Sequence, residues 1–256
     1  MIANYHTHTF RCHHAHGTEE EYIARAIESG IKILGFSDHA PFAFPDGTQS
    51  SYRVFTSDAE DYITTINALK EKYKDKIEIY VGFEMEYFPM FFDGMLEYVK
   101  RLGAEYLILG QHFINNGLPK SKYAAHEGLS TDDLKEYVDC VVGAIKSGKF
   151  SYIAHPDIFN YDFESEEYYR EMKRLCITAR EFDVPLEINF LGIKGKRIYP
   201  NRNFLKIAAE VGNEVVFGSD AHDPISVYDE ATLQVAEKLV SDLGLKKIDT
   251  VKLKFL

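Results

Sequence analysis

The sequence lacks paired cysteines, long apolar runs and any surplus of positive charge, and each lack removes a class of protein. Its three cysteines, Cys12, Cys140 and Cys176, form an odd, widely spaced set with no CxxC pair. That composition suits reduced thiols in a cytoplasmic protein rather than a disulfide framework. No stretch approaches the roughly 20 apolar residues that span a bilayer, so no membrane partner is expected. The first strand is expected to begin almost at Met1, so no signal peptide is expected. Lys and Arg number 29 against 40 Asp and Glu, a formal net charge of −11. A non-specific nucleic-acid binder needs a basic face, so nucleic acid is not an expected partner either. Neither GxGxxG nor GxxxxGK[ST] occurs, which removes the common nucleotide-binding sheets.

What is present is a regular alternation of short apolar runs with longer amphipathic segments. Strands are expected at Ile2 to His6, Ile31 to Ser37, Ile77 to Phe83, Tyr106 to Gly110, Tyr152 to Ala154, Pro185 to Asn189 and Glu214 to Ser219. Helices follow them, opened by capping boxes at Thr18 to Glu21 and Ser57 to Glu60, and stopped near Gly30, Gly148 and Gly212. A polar loop is expected over 115–128, and the last helix over about Val227 to Leu243. Seven β-α units in order predict parallel strands with helical crossovers, and no linker divides residues 1–256 into separate domains.

Histidines and carboxylates recur where these strands end. The clusters read His6-Thr7-His8 with His14 behind, Ser37-Asp38-His39, Gly82-Phe83-Glu84, Gly110-Gln111-His112, Ala154-His155-Pro156-Asp157 and Gly218-Ser219-Asp220-Ala221-His222. An open sheet feeds its crevice from a few strands only, whereas a ring brings six strand ends around one centre. The expectation is therefore an α/β fold of the TIM-like barrel kind, distorted because it has seven strands, with a metal site at the C-terminal strand ends. His6 and His8 point to one side of their strand because side chains alternate with period two, and so do Asp220 and His222. Imidazoles and carboxylates in one place are ligands for divalent metal. Alternation does not choose between Glu84 and Glu86, nor among His13, His14 and His16. Cys12 is read as packed rather than ligating, Asp38 as a carboxylate orienting an imidazole, and His126 as a loop residue exposed or near substrate.

The strings HTHT, SDH, GFE, QHF, AHPD and GSDAH, in this order over residues 6 to 222, resemble the PHP family, named after polymerase and histidinol phosphatase. The chain looks most like its histidinol-phosphate phosphatases, which share HTHTxxCxH (here His6 to His14), GxExD (here Gly82 to Glu86, with glutamate last) and an asparagine-to-YP stretch (here Asn189 to Pro200). The resemblance implies a distorted (β/α)7 barrel holding three divalent ions, zinc, manganese or iron. It selects His14 and Glu84 from the alternatives. By analogy His6, His8, Glu84 and Asp220 hold the first ion; Glu84, His112 and His155 the second; His14, His39 and His222 the third. Many relatives carry an arginine or aromatic near Lys194, so this chain departs from them there.

A phosphomonoester presents dense negative charge and a poor leaving alkoxide, and clustered cations address both while making water nucleophilic. No serine, cysteine or aspartate lies in a covalent-phosphatase motif, so direct attack by water is expected, and the resemblance implies L-histidinol phosphate as the substrate. Arg197, in the run Lys194-Gly195-Lys196-Arg197, is the expected phosphate clamp, because a guanidinium fork matches phosphate oxygens; Arg11 is the second candidate. Asp38, or a histidine, is the candidate proton donor to the leaving group. Phe42, Phe44, Phe113, Tyr123 and Glu164 are candidates to hold the imidazolylethylammonium part. The rival readings are a phosphoesterase for a nucleotide or phosphotyrosine, and a metal-binding scaffold without turnover.

Overall fold

A computed structural model describes residues 1–115 and 121–256. Part of the polar loop expected over 115–128 therefore lies outside the described residues. The strands are β1 (Ala3–Asn4), β2 (Ile33–His39), β3 (Glu78–Met85), β4 (Tyr106–Leu109), β5 (Phe150–Ile153), β6 (Leu186–Asn189), β7 (Glu214–Gly218) and β8 (Lys246–Lys247). They form one parallel sheet in the order of the chain. Among the described residues eight strands replace the seven expected. The eighth is a two-residue pairing of Lys246 and Lys247 with Glu214 and Val215, too short and too polar to leave an apolar signature. A parallel bridge joins Thr7 to Ala221, with His8 N–H donating to Ala221 O at 2.9 Å, so the sheet curls until the chain leaving β1 meets the chain leaving β7.

The crossover helices are α1 (Glu19–Glu28), α2 (Ala59–Tyr73), α3 (Phe92–Leu102), α4 (Thr131–Ser147), α5 (Glu166–Glu181), α6 (Phe190–Lys194), α7 (Arg202–Val211) and α8 (Glu230–Leu243). The Thr18 box forms: Thr18 Oγ1 accepts from Glu21 N, and Glu21 reaches back to Thr18 N. The Ser57 box does not. Asp58 takes the N-cap of α2, and the Ser57 hydroxyl bonds the Asp58 carboxylate instead of the helix backbone. The short α6 was not expected; Asn189 caps it by accepting from Gly192 N at 2.9 Å, so Lys194 ends a helix rather than lying in a loop.

The main core lies between the sheet and its helices, with buried Leu34, Phe36, Val81 and Phe83 against Tyr22, Ile63 and Ile66. A second cluster fills the inside of the curl: Ala3, Tyr5, Tyr106, Ile108, Tyr152, Val216 and Val251. Val251 belongs to the C-terminal tail, which crosses the N-terminal ends of the strands. Its N–H donates to Tyr5 Oη at 3.4 Å, Lys254 N–H to Ser151 Oγ at 3.0 Å, and Leu256 N–H to Glu105 O at 3.2 Å. One end of the curl is thus closed by apolar side chains and tail, and the other remains for polar residues.

Candidate metal centre

The strand exits place the sequence clusters around one point. His39 and Glu84 are strand residues of β2 and β3; His6 and His8 follow β1, His112 follows β4, His155 follows β5, and Asp220 and His222 follow β7. Glu84 is 1% exposed and stands in the middle. Its Oε2 lies 3.0 Å from His39 Nδ1 and 3.5 Å from both His6 Nε2 and His8 Nε2, and its Oε1 lies 2.9 Å from His155 Nε2 and 3.5 Å from His112 Nε2. Room for this carboxylate comes from the glycine of the GQH string: a β-carbon at Gly110 would overlap Glu84. His155 and Asp220 have φ of 30° and 49°, a left-handed backbone costing about 1–3 kcal/mol in a non-glycine residue. Such strain persists where surrounding contacts over-determine a side chain's direction.

The imidazole tautomers follow from what lies behind each ring. His6 Nδ1 faces Glu187 Oε1 at 2.8 Å, and His8 Nδ1 faces Asp38 Oδ1 at 3.4 Å. His14 Nδ1 faces Cys12 O at 2.7 Å, and His222 Nδ1 faces Asp220 O at 3.0 Å. These partners only accept, so each Nδ1 carries a proton and each Nε2 is the nitrogen that faces inward. Carboxylate-backed or carbonyl-backed imidazole is the usual support of a metal-binding histidine.

Four of the inward atoms have no partner. His6 Nε2, His8 Nε2, Glu84 Oε2 and Asp220 Oδ1 are buried without a hydrogen bond. His6 Nε2 lies 3.6 Å, and His8 Nε2 3.2 Å, from Asp220 Oδ1. A tetrahedral ion with bonds of about 2.0–2.1 Å separates its ligand atoms by roughly 3.3–3.4 Å. The four separations given are compatible with such an ion, and burying these atoms unpaired would otherwise be costly. His14, His39 and His222 make a second group of compatible spacing, with the Nε2 atoms of His14 and His222 at 2.9 Å, and His39, Glu84 and His112 a third.

The electrostatics agree with a site built for cations. Burial alone would lower His6, yet Glu187, Asp220 and Glu84 together raise it to about 10. Burial and the neighbouring His8 lower His39 to about 4, and burial with His8 lowers His222 to about 3. Burial would raise Glu84 and Asp220, but the surrounding imidazoles hold both carboxylates well below their ordinary range. The centre thus keeps its carboxylates ionised and calls for positive charge.

Above the centre opens a cavity of about 590 Å³, lined by His14, His39, His112, His222 and Asp220 on its floor and by Tyr52, Phe113, Tyr123, His126, Leu191, Arg197 and Tyr199 elsewhere. Arg197 donates from Nη1 to Tyr199 Oη at 2.8 Å. Arg11, by contrast, is engaged away from the cavity by Glu19, Asp61 and Thr65, and Lys194 by Ser226 Oγ at 2.9 Å. Asp38 does not line the cavity. Its oxygens accept from Thr9 N, Thr9 Oγ1 and His39 N behind His8. Of the residues expected around the leaving group, Phe113 and Tyr123 line the cavity; Phe42 and Phe44 pack with Phe91, and Glu164 borders a separate groove with Tyr169. Cys12 is buried, its thiol donating to Thr9 O at 3.1 Å.

The sequence reading missed Glu187, on the one strand thought to contribute nothing. Glu187 is buried; besides His6 it accepts from His155 N at 2.9 Å and Asn189 Nδ2 at 2.8 Å, and that amide also reaches Asp220 Oδ2 at 3.1 Å. A β-carbon at Gly218 would overlap it. The signal was present in Leu186-Glu187-Ile188: a carboxylate between two buried strand residues needs a partner.

The PHP domain model matches residues 4–190 of the chain. A relative in Deinococcus radiodurans named "Probable histidinol-phosphatase" is 28% identical over 235 residues, covering 87% of each chain. The histidinol-phosphatase of Bacillus subtilis is 26% identical over 247 residues, covering 85% of this chain and 92% of its own. Among solved structures, the histidinol phosphate phosphatase of Lactococcus lactis, in complex with zinc, L-histidinol and phosphate, has the same fold: TM-score 0.73 at 19% identity, over 96% of this chain and 95% of that one. Among the described residues no helix is long and apolar enough to cross a membrane.

Proposed function

The chain belongs to the PHP family, and from that premise we propose that it is a metal-dependent phosphomonoester hydrolase acting on L-histidinol phosphate. The observation that carries the reading is the set of four buried, unpartnered donors from His6, His8, Glu84 and Asp220, beneath a cavity that also holds Arg197. We assign His6, His8, Glu84 and Asp220 to a first ion, Glu84, His112 and His155 to a second, and His14, His39 and His222 to a third, with zinc, manganese or iron as the metal. Relatives named histidinol-phosphatase and a structural neighbour solved with zinc, histidinol and phosphate support the substrate and the metal class.

When bound, divalent ions would supply positive charge to the phosphate oxygens and lower the pKa of water so that its deprotonated form is available near neutral pH. The chain's own residues do the rest. Arg197 lines the cavity and offers a fork for the equatorial phosphate oxygens, where charge spreads in the transition state. Asp38 keeps the Nδ1 proton on His8 and so directs its Nε2; the geometry favours this positioning role over proton donation, because every contact of Asp38 lies behind the ring. Glu187 does the same for His6.

One observation favours a second reading. Among the described residues the only carboxylate lining the cavity is Asp220, assigned to an ion, whereas Tyr52 and Phe113 stack at 5.5 Å and Phe113 meets Tyr123 at 5.4 Å. Such a wall can stack the base of a nucleotide or the ring of phosphotyrosine as well as an imidazole, and the cavity offers no unassigned carboxylate for an ammonium. Phosphate release across L-histidinol phosphate, a nucleoside monophosphate and phosphotyrosine, with and without chelator, separates the readings. The highest kcat/KM on histidinol phosphate, lost on chelation, is expected; activity indifferent to chelator, or no turnover of any monoester, sinks the proposal.

A further inference from the structure

Arg53 lies in the connection between β2 and α2 and is 1% exposed. The connection is tied to a candidate ligand strand, since Val54 N–H donates to His39 O at 3.2 Å. The guanidinium faces Glu86 Oε1 from Nη2 at 2.6 Å and donates to Tyr52 Oη at 3.1 Å and to Ala40 O at 3.4 Å. Its plane also lies over Phe88, 5.8 Å from the ring centre.

A buried ion pair is a poor way to gain stability, because desolvating two charges offsets most of their attraction and apolar residues of similar volume fill the space as well. What this pair does instead is placed on either side of it. Glu86 Oε1, the oxygen that Arg53 pairs with by charge rather than by a hydrogen bond, also lies 3.5 Å from His112 Nδ1, while His112 Nε2 lies 3.5 Å from Glu84 Oε1. On the other side, the Tyr52 ring stands edge-on to His39 at 5.7 Å and stacks on Phe113. One guanidinium therefore braces a candidate ligand through Glu86 and the cavity wall through Tyr52. We propose that Arg53 is a positioning residue, acting through Glu86 to hold His112 for the second ion and through Tyr52 to set the aromatic wall against the leaving group. This rests on the metal centre proposed above.

Without Arg53 the Glu86 carboxylate would be left buried and uncompensated beside His112, drawing the imidazole away from Glu84. The test uses the full chain stripped of metal by chelation and titrated with zinc or manganese alone, with bound metal counted by mass spectrometry. Arg53→Met leaves a lone buried charge and risks misfolding, so Arg53→Met with Glu86→Gln, which removes both charges, decides the matter. The double variant should fold with a Tm near wild type and bind one metal equivalent roughly 10- to 100-fold more weakly, the others unchanged. Its kcat should fall on all monoesters, while KM should rise for phenyl phosphate and not for glycerol phosphate. Arg53→Lys should recover part of the metal affinity, since it keeps the charge and loses the fork. Wild-type affinity for every equivalent and unchanged kinetics in a folded double variant overturn the role of Arg53. A wild-type chain that binds no divalent ion overturns the metal centre itself, and this inference with it.

Discussion

At the C-terminal rim of the sheet, His6 Nε2, His8 Nε2, Glu84 Oε2 and Asp220 Oδ1 are buried without hydrogen-bond partners, and two residues carry left-handed backbone. Beneath them, inside the same curl, Tyr106 Oη donates to Tyr5 O at 2.9 Å, Tyr5 Oη accepts from the tail, and Val251 packs among apolar side chains. The strands are the same; only the end differs. The upper end holds buried polar atoms without hydrogen-bond partners, which suits the proposed metal centre. The lower end satisfies itself with chain and tail, so its contribution is to stability. Changes at the upper rim should therefore alter chemistry and metal content with little else, and changes at the lower rim should do the reverse.

The sharpest way to break that contrast is Glu84→Ala. In the proposed centre this carboxylate serves two ions, so its loss should remove up to two metal equivalents and nearly abolish turnover while the far-ultraviolet dichroism stays native. Retained activity in a folded Glu84→Ala protein would refute the shared-ligand arrangement. Arg197→Ala comes next. A lost charge-assisted phosphate contact costs roughly 2–4 kcal/mol, or about 30- to 1000-fold in kcat/KM. Metal content should stay at the wild-type value, and Arg197→Lys should recover only part. Full kcat/KM would make Arg197 a cavity-wall residue without a catalytic part.

The lower rim is probed by Val251→Ala. Removing two methyl groups from a side chain only 8% exposed should cost about 1–3 kcal/mol and lower Tm by several degrees. Metal stoichiometry and kcat/KM at 25 °C should not change. If instead metal is lost with Val251→Ala, the two ends are coupled and the division drawn above is wrong.

Much of the upper rim was legible in the sequence because its residues follow a positional rule: each lies where a buried apolar run stops. The rule failed where the signal was local or faint. Glu187 is hidden inside an apolar strand, and its partner, His6, is 181 residues away. Arg53 is one arginine in a polar connection, and nothing in Ser50-Ser51-Tyr52-Arg53 announces that it is buried. Alternation could not separate Glu84 from Glu86, because both side chains face the same way; the distinction is one of depth, Glu84 among the imidazoles and Glu86 one layer out on Arg53. The Ser57 box failed because the helix starts one residue later and the Ser57 hydroxyl is engaged by the Asp58 carboxylate, which itself makes no capping bond. The eighth strand and α6 are too short to show a period.

The smallest expected effect tests the contrast at its edge. His126 is an exposed imidazole that lines the cavity, its ring edge-on to Tyr123 at 5.3 Å, yet it joins none of the ligand groups. Proximity alone would enlist it as a ligand; its surroundings say otherwise, since His6, His8, His14 and His222 have a carboxylate or carbonyl behind the ring, and among the described residues none backs His126. His126→Ala should therefore leave metal stoichiometry at the wild-type value. Its effect on kcat/KM should be within a few-fold, about 1 kcal/mol or less, the usual size for a surface substitution away from the chemistry. Metal counting on the purified variant checks the first claim and steady-state kinetics the second. Loss of one equivalent in His126→Ala would show that the centre extends beyond the strand ends to the loop, and that the rim is not the boundary of the chemistry.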